Sequence, residues 1–193
     1  MLKTFTEQEM LDYWKRRLGL ASSPGVEGTG YDNRLDLKLT DDIRAWYADL
    51  LHTAPRHLLP VEDLRDEISA RLSGDNCLEI TIPERGIRFV SLKLADWPAR
   101  VDFTYPPEGI HARMQLDSTT RATPDRPVVV GCHHRLMAYG LPSGMPGAES
   151  GAAKAPPFRP LPEIDLLEMV AAPADGTYRL DEALLLTAQL PIR

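Results

Sequence analysis

The sequence has only two cysteines, no long apolar run and no excess of positive charge, and each shortage excludes a class of protein. Cys77 and Cys132 lie far apart without a CxxC spacing, which argues against a disulfide scaffold or a thiol-built zinc site and predicts two free thiols. No segment approaches the roughly 18 apolar residues of a membrane helix, and charged residues interrupt Met1 to Met10. We therefore expect a cytoplasmic protein with no membrane partner.

The formal charge of −6 at pH 7 argues against a protein that wraps nucleic acid by neutralising phosphates, so a nucleic-acid partner is not expected. The sequence also lacks a phosphate-binding loop, GxGxxG, GxSxG and HExxH, so we predict no cofactor and no catalytic set. The cluster Cys132, His133 and His134 is the one that invites chemistry. We interpret it as a polar hairpin tip; the alternative is a small hydrolase or metal-dependent enzyme that uses these three with a carboxylate from elsewhere.

The N-terminal third has helical signals. Thr6 followed by Glu9 has the spacing of a capping box, and Gly19 is placed to end the first helix in a left-handed conformation. A second helix is predicted from the cap at Thr40 to the break at Pro55, and a third after Pro60. The predicted helices cover 6–18, 41–53 and 60–72.

The middle of the chain, from 78 to 139, has the alternation of β-strands. Leu78, Ile80 and Ile82 alternate with polar residues, and Pro83 to Gly86 has turn composition. The next segment is apolar on both faces, which predicts a central strand. The predicted strands cover 78–82, 87–95, 100–105, 127–131 and 135–139, with Gly131 to His134 as the loop between the last two.

The tail begins with 142–162, in which nine of twenty-one residues are Pro or Gly, and this composition predicts a flexible arm. Residues 163–193 regain an apolar pattern, with Asp181 as the cap of a short helix that should pack back on the body. The sequence thus predicts an α+β protein. N-terminal helices precede a small, largely antiparallel sheet in a body of residues 1–141, followed by the Pro/Gly-rich arm and a short C-terminal helix.

Several segments, taken in order, resemble the neck proteins of tailed bacteriophages, of the head–tail connector or adaptor type and including prophage copies. They are IPERGIRFVSLKLADW at 82–97, TRATPDRPVVV at 120–130, the RLMAYG strand that follows and LDEALLLTAQL at 180–190. The resemblance covers about two thirds of the chain. It implies no enzyme and no catalytic residues; it implies a subunit of a ring that bridges a portal to a tail, or an assembly factor acting beside that ring.

We therefore expect a non-enzymatic structural or assembly protein of the host cytoplasm or the virion. Its partners would be other virion or assembly proteins, or further copies of itself in a ring. An intracellular adaptor that binds by strand addition or through its proline-rich arm is the other alternative. The candidate interface residues are Trp97, Phe158 and Arg159.

Overall fold

The computed structural model of the chain describes residues 1–20, 31–73, 76–142 and 161–187. These ranges contain helices and antiparallel sheets, which confirms the predicted α+β class with N-terminal helices and a short C-terminal helix. The helices are α1 (Glu7–Arg17), α2 (Tyr31–Thr53), α3 (Ile110–Met114) and α4 (Glu182–Thr187). The strands are β1 (Leu2–Phe5), β2 (Val61–Asp63), β3 (Ser69–Leu72), β4 (Cys77–Thr81), β5 (Gly86–Leu94), β6 (Val128–Cys132), β7 (Arg135–Tyr139), β8 (Ile164–Ala171) and β9 (Tyr178–Asp181).

The chain divides into two compact units. We call Met1–Val61 with Val170–Arg193 the helical unit, and Glu62–Met169 the sheet unit. The sequence predicts a body of 1–141 and an added element at 163–193, whereas β8 starts in the sheet unit and continues into the helical unit. Most of the predicted arm, 143–160, lies outside the described residues.

Helix α1 of the helical unit begins and ends where its sequence predicts. The Thr6 side chain accepts a hydrogen bond from the Glu9 backbone N–H, and the Glu9 carboxylate accepts from the Thr6 backbone N–H at 2.8 Å. The Glu9 carboxylate also accepts from the Thr6 hydroxyl at 3.0 Å, and its two hydrogen bonds lower the pKa of Glu9, the one from the backbone N–H most strongly. At the other end Gly19 has a φ of 70°, and the Leu20 N–H donates to the Lys15 carbonyl at 2.8 Å. Local hydrogen bonds therefore fix both ends.

The core of the helical unit is built on aromatic residues. The Trp14 and Trp46 rings meet edge to face at 5.5 Å between centroids, which joins α1 to α2. The Tyr47 hydroxyl donates to the Arg179 carbonyl and accepts from the Arg179 N–H, both at 3.0 Å, so α2 is also joined to β9. Strand β1 pairs antiparallel with β9. Other fully buried large side chains of this unit include Met10, Ile43, Leu51, Leu59 and Leu180.

Helix α2 starts earlier than the sequence predicted. The cap was placed at Thr40, but the helix begins at Tyr31, so that Thr40 lies in its interior. Leu35 and Leu39 continue the four-residue spacing of Ile43 toward the N-terminus, and no proline or glycine interrupts them. A residue type that favours a cap does not start a helix when the preceding residues are already helical.

The sheet unit contains a four-stranded antiparallel sheet in the order β3-β4-β7-β6. One face of this sheet is buried and carries the side chains Leu78, Ile80, Leu136, Ala138 and Val129. A second sheet has the order β2-β8-β5. The turn predicted at Pro83 to Gly86 is present, since the Gly86 N–H donates to the Pro83 carbonyl at 2.9 Å.

The predicted helix at 60–72 is wrong. The segment forms β2, a turn and β3, and all four residues of β3 pair with β4. Its acidic residues hold the turn: Arg85 contacts Glu62 at 2.6 Å and also contacts Glu67, whose pKa it lowers through their hydrogen bond. Val61, Leu64, Ile68 and Leu72 have helical spacing, but pairing with a distant strand decides the structure.

Two predicted strands also differ from the structure. The segment 100–105 forms isolated bridges at Val101 and Tyr105 in place of a continuous strand. Strand β5 lies at the end of its sheet rather than at the centre, although Leu92 and Val101 exchange two backbone hydrogen bonds of 2.9 Å on its outer side.

Candidate functional site

The cluster that invited a chemical interpretation is placed at a tight hairpin. Cys132 is the last residue of β6 and pairs with Arg135, so the loop consists of His133 and His134 alone, shorter than the predicted Gly131 to His134. His133 has a φ of 51°, and positive φ at the first loop residue is typical of two-residue hairpins. The His134 carbonyl accepts from the Ile82 N–H at 2.8 Å. The turn therefore accounts for the conformation of both histidines.

Both histidine side chains are exposed and Cys132 is half-buried. Within 1–20, 31–73, 76–142 and 161–187, no three His, Cys, Asp or Glu side chains are grouped so that they could hold a metal ion. No side-chain hydrogen bond joins Cys132, His133 or His134 to another described residue. Among the described residues, the structure thus brings no carboxylate or other reactive side chain into hydrogen-bond contact with the cluster.

The two thiols are both free, and they differ in burial. Cys77 is buried in β4, and this burial raises its pKa to about 11. Burial likewise raises the pKa of Tyr139, its partner on β7, to about 12. Cys77 is therefore protonated at neutral pH and is a packing residue.

The predicted interface residues are not brought together. Trp97 is only 2% exposed, and its indole N–H donates to the Gly140 carbonyl at 2.9 Å inside the sheet unit. It is a core residue of the sheet unit, which corrects its assignment to an interface. Phe158 and Arg159 lie outside the described residues.

A different part of the sheet unit exposes apolar side chains within a short stretch. We call this set the apolar ridge: Phe103 (53% exposed), Ile110 (68%), Met114 (37%) and Leu116 (89%). Ile110 and Met114 lie four residues apart on α3 and therefore share one face of the helix. Single exposed leucines are common on protein surfaces, but four large apolar residues within fourteen positions make this segment the candidate interaction surface.

The ridge is held on the four-stranded sheet by Tyr105. The Tyr105 N–H donates to the Val129 carbonyl at 2.8 Å, and the Gly131 N–H donates to the Tyr105 carbonyl at 2.9 Å, so this residue continues the sheet beyond β6. Its ring stacks on His111 of α3 with centroids 3.7 Å apart and meets the Phe103 ring edge to face at 5.0 Å. The aromatic contacts thus join both halves of the ridge to a strand edge.

Polar contacts fix the C-terminal side of the ridge. The Gln115 side chain donates to the His111 carbonyl and accepts from the Ala122 N–H, both at 2.8 Å. The Asp117 carboxylate accepts from the backbone and side chain of Thr119, and these hydrogen bonds lower its pKa. Leu116 is therefore exposed on a segment whose backbone is hydrogen-bonded on both sides.

The apolar side chains of the ridge have charged neighbours along the chain. Asp102, Glu108, Arg113 and Asp117 all lie in the same segment and are exposed. An apolar centre with a polar surround is the composition of protein–protein interfaces.

The ridge was not predicted, because no helix or strand was assigned from the sequence between 105 and 127. A usable signal was present, since Ile110 and Met114 have helical spacing between two proline-containing segments. The sequence could not show that this face would find no partner within the unit.

Comparison with known proteins gives no further guide to the site: no family model, no curated protein and no solved structure matches this chain. Among the described helices, none is long and apolar enough to cross a membrane.

Proposed function

We propose that this chain is a non-enzymatic assembly protein of the phage head–tail connector type, which contacts its neighbour in the assembly through the apolar ridge. The exposure of Phe103, Ile110, Met114 and Leu116 is the observation that carries the proposal. The neighbour is a portal or tail protein, or a further copy of this chain in a ring. The protein acts in the host cytoplasm and then in the virion.

The physical argument rests on desolvation. Burying the ridge against a partner removes apolar surface from water at about 25 cal/mol per Å². Aromatic residues such as Phe103 and Tyr105 are enriched at the centres of protein–protein interfaces. Because backbone hydrogen bonds of Tyr105 fix the base of the ridge, less conformational entropy is lost on binding than for a disordered segment.

In a ring, each contact between neighbouring subunits can be weak by itself. Equal heterologous contacts repeated around a closed ring stabilise one another, so a modest affinity per subunit suffices. A small ridge of four side chains fits such an assembly better than it fits a stable isolated dimer.

Two observations test the proposal. The genes beside the one that encodes this chain should specify portal, capsid or tail proteins, and a housekeeping operon in their place contradicts it. The full chain should then co-sediment with the assembled portal protein of the same genome. We expect Ile110→Ser with Leu116→Ser to reduce the bound fraction at least about tenfold, because it removes two apolar contacts.

The matched control is Leu186→Ser, which changes another exposed leucine, on α4 of the helical unit. This variant should bind the portal as the wild type does. Equal loss in the control and the ridge variant would contradict the assignment of the ridge. Binding to a different host protein through the same residues would favour the adaptor alternative.

A further inference from the structure

The two edges of the four-stranded sheet differ in how their backbone groups are satisfied. At the β6 edge, Tyr105 supplies the hydrogen bonds to Val129 and Gly131. At the β3 edge, no described residue is hydrogen-bonded to the outer side of the strand. An edge of this kind is a template for pairing with another extended chain.

The register shows which groups of β3 are available. The Ser73 N–H donates to the Cys77 carbonyl at 2.8 Å, which makes this a hydrogen-bonded pair just beyond β3. In antiparallel sheets such pairs alternate with non-hydrogen-bonded ones, so Arg71 and Ser69 direct their N–H and C=O groups toward β4. Ala70 and Leu72 direct theirs away from the sheet. The edge thus offers two donors and two acceptors at alternate residues.

The sheet face that begins at this edge carries Arg71 on β3, Glu79 on β4 and Arg135 on β7, a set with a net positive charge. Glu79 on β4 is only 8% exposed, and its carboxylate contacts two arginines: Arg71 at 2.7 Å and Arg135 at 3.1 Å. Two guanidinium groups share one carboxylate, which leaves one unbalanced positive charge on this face. Both arginine side chains are mostly exposed, so guanidinium N–H groups remain for a further acceptor.

Charged residues on edge strands often prevent pairing with another chain, but the position of Arg71 does not block the edge of β3. A protective charge works by projecting over the edge or into the incoming strand. Here the Arg71 guanidinium lies on the sheet face, hydrogen-bonded to Glu79 of β4 at 2.9 Å, so that it does not project over the backbone groups of the edge. The edge therefore stays accessible, and the arginine selects the charge of the strand that pairs with it.

We propose that the open edge of β3 binds an extended acidic segment of a partner protein by strand addition. Its backbone pairs with Ala70 and Leu72, and an Asp or Glu side chain lies beside Arg71. This surface is distinct from the apolar ridge and does not depend on the function proposed above. Main-chain hydrogen bonds would supply affinity, and Arg71 on the edge strand itself would supply preference for an acidic segment.

The first test is hydrogen exchange of the full chain, resolved by residue with NMR. The Ala70 and Leu72 amides should exchange at least about a hundredfold faster than the Arg71 amide, because only the latter is bonded to β4. Equal protection of all three amides would mean that the edge is already covered, and it would overturn the proposal.

The second test uses two labelled peptides, Thr-Val-Glu-Val-Thr-Val and its counterpart with Lys in place of Glu, with binding followed by fluorescence anisotropy. We expect the Glu peptide to bind at least about tenfold more tightly than the Lys peptide, through the charge-assisted contact with Arg71. Arg71→Glu should reverse this preference, whereas Arg121→Glu, a change at another exposed arginine of the sheet unit, should leave it unchanged. Failure of both peptides to bind at about 1 mM, or equal binding of both, would overturn the proposal.

A backbone variant separates strand addition from simple charge attraction. Leu72→Pro removes an N–H that points away from β4, and proline is tolerated at such edge positions; Leu72→Ala keeps the N–H. The Glu peptide should bind the proline variant about tenfold less tightly than the alanine variant, because one main-chain hydrogen bond is lost. Equal binding by the two variants would contradict strand addition.

If Leu72→Pro does not fold, methylation of the peptide amides that face β3 should weaken binding to the wild type by a similar factor. Unchanged binding of the methylated peptide would contradict the proposal. The proposal would also be overturned if the free chain forms a dimer and Leu72→Pro abolishes that dimer. The occupant of the edge would then be a second copy of the chain.

Discussion

Helices α1 and α3 carry similar apolar side chains but use them in opposite ways. Met10, Leu11 and Trp14 on α1 are almost completely buried, whereas Ile110 and Met114 on α3 remain exposed. Helix α1 has eleven residues and hydrogen-bonded caps at both ends, and α3 has five residues and starts at a glycine without a side-chain cap. A five-residue helix is not stable by itself. The difference shows that α1 is part of the core, whereas α3 is held in place by its surroundings and presents a surface.

The largest expected effect on stability concerns α1, whose apolar side chains are buried. Trp14→Ala should lower the free energy of unfolding by about 3–5 kcal/mol, because it removes a large core side chain and leaves a cavity. Urea unfolding followed by circular dichroism measures the change. The control is Leu116→Ala, a truncation at an 89% exposed position, with an expected change of less than about 0.5 kcal/mol. Similar losses in both variants would mean that the ridge is part of a core.

The second prediction concerns the support of the segment that carries the ridge. Gly140 has a φ of 101°, and a Cβ atom there would lie 2.6 Å from the backbone oxygen of Thr123. Gly140→Ala should therefore lower the free energy of unfolding by about 3 kcal/mol through backbone strain and a clash with the chain. Thermal unfolding of the full chain measures it.

Gly19→Ala is the matched control, because Gly19 also has positive φ but no atom within 4 Å of the added Cβ. Only the conformational cost of about 1–2 kcal/mol should appear there. An effect at Gly140 no larger than that at Gly19 would contradict the close approach of Thr123.

The third prediction concerns the side-chain cap at the start of α1, which has no counterpart on α3. Thr6→Ala should lower the free energy of unfolding by about 1 kcal/mol at pH 7, since it removes a side-chain acceptor at the start of α1. Thr6→Ser keeps that acceptor and should be close to the wild type. A change at Thr6→Ser as large as that at Thr6→Ala would mean that the hydroxyl is not the relevant group.

This cap also predicts a pH dependence. Its hydrogen bonds lower the pKa of Glu9 in the folded chain, so the contribution of the Glu9 carboxylate is present above the ordinary pKa of 4.5. It is lost as the pH falls through the lower folded value. The difference between wild type and Thr6→Ala should accordingly shrink at acid pH, and a difference that grows on acidification would contradict the capping box.

The smallest expected effect on stability belongs to the ridge itself. Ile110→Ser with Leu116→Ser should change the free energy of unfolding by less than about 1 kcal/mol, because both side chains are already in contact with water. Guanidinium unfolding measures this. A loss of several kcal/mol would show that the two side chains stabilise the fold, and the comparison between α1 and α3 would no longer hold.

Local signals predicted α1 correctly, and contacts between distant residues account for most of what was missed. The capping box at Thr6 and the glycine at Gly19 act within one turn, so they can be recognised from neighbouring residues alone. Strand β1 was not predicted because its partner, β9, comes from the opposite end of the described chain. The segment 60–72 has helical spacing, but its strands depend on β4 and its turn on Arg85.

The candidate site was harder to predict than the fold. The sequence directed attention to Cys132 and the two histidines because such residues often carry chemistry. In the structure the two histidines form the loop of a tight hairpin. It also selected Trp97, a residue type common at interfaces, which is buried in the core. Exposure results from how the whole unit packs, so residue type alone could not single out Ile110 and Leu116.

Site-specific photo-crosslinking in cells that produce the assembly is the most direct test of the ridge as an interface. A benzophenone amino acid would replace Leu116 in one version of the full chain and Leu186 in another, both of them exposed leucines. We expect the label at 116 to join the chain to a portal or tail protein or to a second copy, and the label at 186 to give no such product. Absence of a product at 116, or equal products at the two positions, would contradict the central claim.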